Sequence, residues 1–172
     1  MTARTARNAA LQYPARSPIG MLAGLALCLV AFYLSCSLLS YNQADPSLIR
    51  ATSNDITNIG GYTGALVADL ALQILGMASA LLIIVPGIWG IKMLRGQEVG
   101  YMWLRVTLLM ACLVCPSAVF ALFEPPISWP IASGMGGSIG HVLPDSMGRA
   151  FKNPFFVSAI LFSDIVMLMI AI

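Results

Sequence analysis

Charge is what this sequence has least of. Only 9% of its 172 residues are Asp, Glu, Lys or Arg while 59% are hydrophobic, against roughly a quarter charged in an ordinary soluble domain. A water-soluble fold of this length has nowhere to hide so much apolar surface. Histidine is almost missing: His141 is the only one, too few for a histidine metal cluster, and a lone imbalance-free imidazole is read as a plain loop residue. The chain contains no G-x-x-x-x-G-K-[ST], since neither Lys92 nor Lys152 follows a glycine, which excludes nucleotide binding by a Walker loop within it. The net charge of +2 is too small to form an electrostatic footprint for nucleic acid. The four cysteines, Cys28, Cys36, Cys112 and Cys115, all fall in apolar stretches. Cys112-x-x-Cys115 has no second pair to complete a zinc site, so these residues read as small buried side chains. Neither a catalytic constellation nor a cofactor or metal is expected.

What the chain does have is long apolar runs, without the one-faced or alternating patterns of soluble helices and strands. Residues 19–40 form the first, preceded by Arg4, Arg7 and Arg16. At ~1.5 Å rise per residue it crosses a ~30 Å hydrocarbon core. It exceeds the ~7–15 residues of a signal-peptide core and no A-x-A site follows, so it reads as an uncleaved membrane helix. Runs at about 64–91, 103–123 and 154–172 follow. In the second, Pro86 with Gly87 and Gly90 is expected to kink or fray the far end. Between the last two runs, Pro125, Pro126, Pro130 and Pro144 alternate with Gly134, Gly136, Gly137 and Gly140, which no simple lipid-facing helix tolerates. This stretch reads as an ordered loop carrying a short helix near Ile131–Leu143 at the bilayer edge. The fold class is therefore all-α and integral to the membrane, a bundle of about four transmembrane helices with a short extra helix in the second outer loop. Residues 1–18 form a cytoplasmic tail and residues 19–172 the membrane domain.

Six of the nine Lys and Arg residues, namely Arg4, Arg7, Arg16, Lys92, Arg95 and Arg105, fall on one side of these spans. The positive-inside bias makes that side cytoplasmic, with both termini there and the loops Tyr41–Thr63 and Glu124–Asn153 outside. Trp89, Trp103 and Trp129 lie near span ends or in a loop, as interfacial anchors do.

Two acids raise the question of function. Asp69 falls in the first turn of the second run, where free backbone N–H groups favour a negative charge, and reads as structural. Asp164 sits at the centre of the last run, at a cost of about 2.5–3.5 kcal/mol on insertion scales, and should face the bundle or stay protonated. Gly20 and Gly24, Gly60 and Gly64, and Gly136 and Gly140 are each four apart, which places both members on one helix face for close packing. For Gly60, Gly61 and Gly64 a tight loop entering the helix is the other reading. Asp45-Pro46-Ser47 reads as a turn, with Asp bonding back to the local chain.

Two stretches carry a resemblance. Leu39-Ser40-Tyr41-Asn42-Gln43-Ala44-Asp45-Pro46-Ser47 is followed by Asn58-Ile59-Gly60-Gly61-Tyr62-Thr63-Gly64-Ala65-Leu66-Val67-Ala68-Asp69-Leu70 and then Gly76. This resembles the amino-terminal four-helix membrane domain of the FtsK/SpoIIIE family of DNA translocases, whose outer loop reads S-[YF]-[ND]-x-x-D-P-S and whose second helix opens N-x-G-G-x-x-G-A-x-x-A-D. The similarity runs from about Leu38 to Leu94. Ser133-Gly134-Met135-Gly136-Gly137-Ser138-Ile139-Gly140 resembles the family's glycine-rich stretch before its last membrane helix. The resemblance implies a membrane anchor, in the bacterial inner membrane at the division septum, for a cytoplasmic motor in cell division and chromosome partition. Asp45, Pro46, Gly60, Gly61, Gly64, Asp69 and Gly76 would be its structural motif residues. Implied partners are the bilayer, further copies of the chain and division-site membrane proteins, with no direct nucleic-acid contact. A family member continues into a linker, a P-loop ATPase and a winged-helix domain, whereas this sequence stops at Ile172 within its last apolar run, so a truncated or isolated anchor is expected. The alternative is a small transporter or channel subunit using Asp69 and Asp164; it lacks the paired broken helices of such proteins.

Overall fold

The computed structural model describes residues 18–47, 52–97, 99–127, 129–147 and 153–172. The tail with Arg4, Arg7 and Arg16, and also Arg50, Arg149 and Lys152, lies outside the described residues. Among the described residues six α-helices follow one another: α1 (Pro18–Leu39), α2 (Gly61–Leu75), α3 (Leu81–Leu94), α4 (Met102–Phe120), α5 (Gly137–Met147) and α6 (Pro154–Ala171), with a 3-10 segment, Gly76–Ala80, joining α2 to α3. No strand occurs among the described residues. Three helical stretches are long and apolar enough to cross a membrane, Pro18–Leu39, Gly61–Leu94 and Met102–Phe120, and the last helix is a shorter apolar one. This is an all-α membrane bundle, and its surface shows which solvent it meets. Leu22, Leu29 and Phe32 of α1 and Phe155, Phe162 and Met169 of α6 are each at least 60% exposed, an arrangement that water forbids and hydrocarbon accepts.

Lipid is as apolar as leucine, so helices in it associate through close van der Waals packing rather than hydrophobic burial. The α1–α3 seam shows the device. The two helices run antiparallel, and a Cβ placed on Gly24 would lie 2.8 Å from the Gly90 carbonyl oxygen, while one on Gly90 would lie 2.6 Å from Cys28 Sγ. Further along, the Gly87 position lies 3.6 Å from Ala31 Cβ. Gly24 thus makes a tight approach to Gly90 of α3, while Gly87 lies in ordinary contact with Ala31. Of the kink or fraying expected from Pro86, Gly87 and Gly90, fraying does not occur: α3 runs through Pro86 to Leu94, and Gly90 is where α1 comes close. Gly90→Ala is predicted to cost about 2 kcal/mol, in the range of overpacked core sites, read as a lower unfolding midpoint in detergent.

The second run is not one straight span over 64–91. Gly64 packs on Ser37 and Gly87 on Ala31. Ser37 and Ala31 are ~9 Å apart along α1, whereas a straight helix would hold Gly64 and Gly87 ~34 Å apart. The axis therefore turns sharply, and it turns at Gly76, whose φ of 59° opens the 3-10 segment. Around the inner side of this bend lies the core, Leu75, Ala78, Val85, Trp89, Leu109 and Leu113. Trp89, expected at an interface, is 3% exposed within that core, because α3 continues past it to Leu94 and its ring lies against neighbouring helices. Trp103, at the start of α4, is 84% exposed, as an interfacial anchor should be.

Further packing joins α4 to α6 and α5, and α2 to α1 and α5. On α6 the less exposed residues Phe156, Val157, Ile160, Asp164, Met167 and Leu168 form a stripe at helical spacing. Lys92 Nζ at the end of α3 donates to the Ile172 backbone oxygen at 2.6 Å, which puts the ends of α3 and α6 on the same side of the bundle.

Candidate functional site

The motif residues converge on two polar assemblies in an otherwise apolar molecule. The first closes the loop between α1 and α2. Asp45 is 4% exposed, and its carboxylate accepts from Thr57 N at 2.9 Å, Thr57 Oγ1 at 2.8 Å and Asn58 N at 2.9 Å. The expected local turn is present only in part: Asp45 N donates to the Asn42 carbonyl, while the side chain reaches 12 and 13 residues ahead. A buried carboxylate accepting several N–H and O–H groups holds its two strands of chain far more firmly than a turn would. Asn58 continues the chain of bonds. Its Nδ2 donates to the Ser37 and Ser40 carbonyls at the end of α1, at 2.8 and 3.3 Å, and its Oδ1 accepts from Gly60 N at 2.8 Å. Ser40 Oγ accepts from Ile59 N at 2.9 Å.

The glycines belong to this assembly, and both readings of them apply. Gly61 has φ +67°, a conformation that favours glycine, and needs no room for packing. Gly60 and Gly64 face one way: a Cβ on either would press on Ser37 Oγ and Asn58 Oδ1. Tyr33 on α1 closes the same corner, its hydroxyl 2.8 Å from Thr63 Oγ1 and 3.3 Å from the Gly60 carbonyl.

Asp69 was placed in the first turn of its helix, where the free N–H groups would hold it. Helix α2 begins at Gly61, so Asp69 lies two turns further in and its partners are side chains. It is 4% exposed; Tyr41 Oη donates to Oδ1 and Gln73 Nε2 to Oδ2, each at 2.8 Å. Asp69 thereby ties the end of α1 to the middle of α2.

The second assembly surrounds the bend. The turn at Gly76 breaks the helical bond that would join Met77 N to the Gln73 carbonyl. Met77 N donates instead to the Met135 carbonyl at 2.8 Å, and the Gln73 carbonyl accepts from Ser138 Oγ at 3.0 Å and Ser133 Oγ at 3.3 Å. Leu75 O accepts from Ser117 Oγ of α4 at 3.0 Å. Each group released by the bend is thus taken up by the glycine-rich segment or by α4, as buried backbone requires. Only glycine permits the contact: a Cβ at Gly76 would press on the Met135 carbonyl, one at Gly137 would lie 2.5 Å from the Ile74 carbonyl oxygen, and ones at Gly136 and Gly140 would press on the Ser117 carbonyl. The Gly136–Gly140 pair does share a packing face, toward α4. The helix begins at Gly137 rather than near Ile131, because Gly134 and Gly137, with φ of +69° and +65°, first fold the segment back on itself; His141 Nε2 lies 3.0 Å from the Ser133 carbonyl across that fold. The segment is packed into the bend.

Asp164 belongs to neither assembly. It is 8% exposed in the stripe of α6 that faces α4, and its Oδ1 is buried with no hydrogen-bond partner. The Cys112 thiol lies 3.9 Å from the Asp164 backbone oxygen. It faces the bundle, as expected of an acid in a span. Asp69 and Asp164 lie on α2 and α6, which share no packed face. All four cysteines are free thiols, and among the described residues no three His, Cys, Asp or Glu side chains gather to hold a metal. Sequence reasoning did not single out Ser37 or Ser117, and it took Ser40 and Asn58 only as letters of the family motif. The available signal was small polar residues flanking the glycines, which in an apolar chain mark interhelical hydrogen bonds.

A bent second helix, a clasped loop between α1 and α2 and a glycine-rich segment seated in the bend define a polytopic α-helical membrane domain. Its polar groups serve its own architecture. The chain belongs to the family described as the 4TM region of DNA translocase FtsK/SpoIIIE, whose model matches residues 20–172. It is 34% identical over 139 residues to the DNA translocase FtsK of Mesorhizobium japonicum, a match covering 77% of this chain and 15% of that relative. With the DNA translocase FtsK of Agrobacterium fabrum it shares 37% identity over 123 residues, 71% of this chain and 14% of the relative. For that of Azospirillum brasilense the figures are 35% over 130 residues, 74% and 21%. The chain thus spans about a seventh to a fifth of the length of these relatives. No solved structure matches it.

Proposed function

We propose that this domain is the membrane anchor and interaction module of an FtsK-type DNA translocase acting in cell division and chromosome segregation, with no ATPase activity of its own. The observation that carries the reading is the family match over residues 20–172, and the structure supports it by what its polar groups do. Asp45, Asn58 and Asp69 are all engaged in holding helices and loop together, as a rigid anchor needs and a proton or ion path does not. The domain sits in the inner membrane at the division septum with both termini in the cytoplasm. There it meets further copies of itself and other division proteins through the outer loops, and touches no nucleic acid.

The test is a green fluorescent protein joined ahead of Met1, in wild type and Asp69→Asn, expressed in Agrobacterium fabrum. That fluorophore matures only on the cytoplasmic side when export is through the unfolded route. A fluorescent band at mid-cell is expected for both. Diffuse membrane fluorescence, or a dark membrane-inserted fusion, would refute the septal or the topological part. Proton flux through vesicles holding the wild-type chain, abolished by Asp69→Asn, would favour the transporter reading instead.

A further inference from the structure

Between α2 and α4 the bundle leaves a groove of about 530 Å³. Val67, Leu70, Ala71, Ile74 and Leu75 line one wall, Met110, Leu113 and Val114 the other, with Leu82 and Ile139 closing the ends. It exists because α4 packs closely on the Gly76–Ala80 segment but scarcely on α2, so the two helices part from a common apex where Ser117 Oγ bonds the Leu75 carbonyl. The floor is buried, with Leu75 9% and Leu113 5% exposed, while the rim residues Leu70, Ile74 and Met110 are 36–49% exposed. The groove therefore opens on the surface of the bundle beside α4, which is long and apolar enough to cross a membrane.

Three occupants have to be weighed. Water needs two to four polar partners to enter such a space, and the lining side chains are all apolar. A helix from a second copy, ~10–12 Å across with its side chains, would over the length of α2 fill on the order of 2,000 Å³, several times the space available. The walls also offer far less area than the ~800 Å² per partner that a stable protein pair buries. A vacant groove would forfeit the dispersion contacts of its whole lining. A single flexible hydrocarbon chain meets none of these objections, and the volume falls within the ~300–1,000 Å³ of sites that enclose one small ligand.

We infer that this groove is a binding site for one acyl chain of a bilayer lipid, held between α2 and α4 as part of the folded domain. The resident chain supplies the packing that these two helices do not give each other. It differs in kind from the lipid annulus around α1 and α6, where exposed side chains such as Phe32 and Phe162 stand on convex faces with no floor behind them.

Native mass spectrometry of the whole chain, released from detergent at rising collision energy, tests this. One phospholipid per chain is expected to survive after annular lipid is stripped. Ala71→Phe and Val114→Phe fill the groove and should each lower its occupancy at least fivefold, while Phe32→Ala on the convex face of α1 should leave it unchanged. A phosphatidylglycerol with a spin label midway along its acyl chain provides a measurement on the wild-type chain that does not depend on any variant folding. In vesicles of that lipid it should show one immobilised lipid per chain. A wild-type chain that retains no lipid, an occupancy unaffected by filling the groove, or a Met110→Cys variant whose two copies cross-link through the groove would each overturn the inference.

Discussion

Asp45→Ala should unfold the loop between α1 and α2 and lower the stability of the domain by about 4 kcal/mol, the loss expected when three groups lose a buried charged partner at ~1–3 kcal/mol each without full additivity. The carboxylate is 4% exposed and accepts from Thr57 N, Thr57 Oγ1 and Asn58 N. The alanine variant leaves all three donors without their acceptor, and Asn58, which grips the end of α1 through the Ser37 and Ser40 carbonyls, loses its own anchor. Two readouts separate this from a general loss of folding. Added protease should cut the loop between Tyr41 and Gly60 at least tenfold faster in the variant, while the closely packed α1–α3 seam at Gly24 and Gly90 keeps Cys28 as slow to react with a thiol reagent as in wild type. Asp45→Asn keeps an acceptor oxygen but not the charge, and should fall between the two. A variant as stable and as protease-resistant as wild type would show that the clasp does not hold the loop.

A gain of similar size is expected from Asp164→Leu. The acid costs about 2.5–3.5 kcal/mol at a helix centre, and leucine contributes about 0.5 kcal/mol in the other direction. The position is 8% exposed in the stripe of α6 that packs on α4, and its Oδ1 has no partner, so the change removes an unsatisfied group and fills the same space with methyls. Membrane insertion of α6, followed by a glycosylation reporter in microsomes, should become more complete by about 3 kcal/mol in apparent free energy. The unfolding midpoint of the domain should rise with it. Should leucine instead weaken the domain, the acid must find a donor in the assembled protein that stabilises it, and septal localisation of Asp164→Leu would then be lost as well.

Fold class was legible because one physical quantity dominates it. Runs of about 20 residues without charge, such as Ile19–Leu39 and Val106–Phe123, admit few structures other than helices in lipid. The family was legible for a different reason: the loop residues from Leu39 to Ser47 and from Asn58 to Leu70 must meet stringent steric and hydrogen-bonding demands, and so form a recognisable string. What stayed hidden was everything set by contacts far apart in sequence. The bend at Gly76 lies inside 22 uninterrupted uncharged residues, Leu70–Ile91, and apolar periodicity does not register a change of axis. Pro86 drew attention as the local helix breaker. Its consequences were absorbed because neighbouring helices stabilise such a helix in a bundle, while the true break needed the Met135 carbonyl and the Ser133 and Ser138 hydroxyls some 60 residues away. The partners of Asp45 and Asp69 were missed for the same reason. Thr57 is unremarkable in the sequence, and Tyr41 stands there only as a letter of the family motif, until the loop folds them onto the acids.

The bend also limits how the domain can respond to its surroundings. An ordinary spanning helix meets a thicker or thinner bilayer by changing its tilt. Here the elbow between α2 and α3 is stapled from outside the helix by Ser133, Ser138 and Ser117. It cannot straighten to lengthen its reach without pulling the glycine-rich segment away from its seat. Where the membrane narrows or curves, the elbow, that segment and the end of α4 therefore move as one stiff bracket.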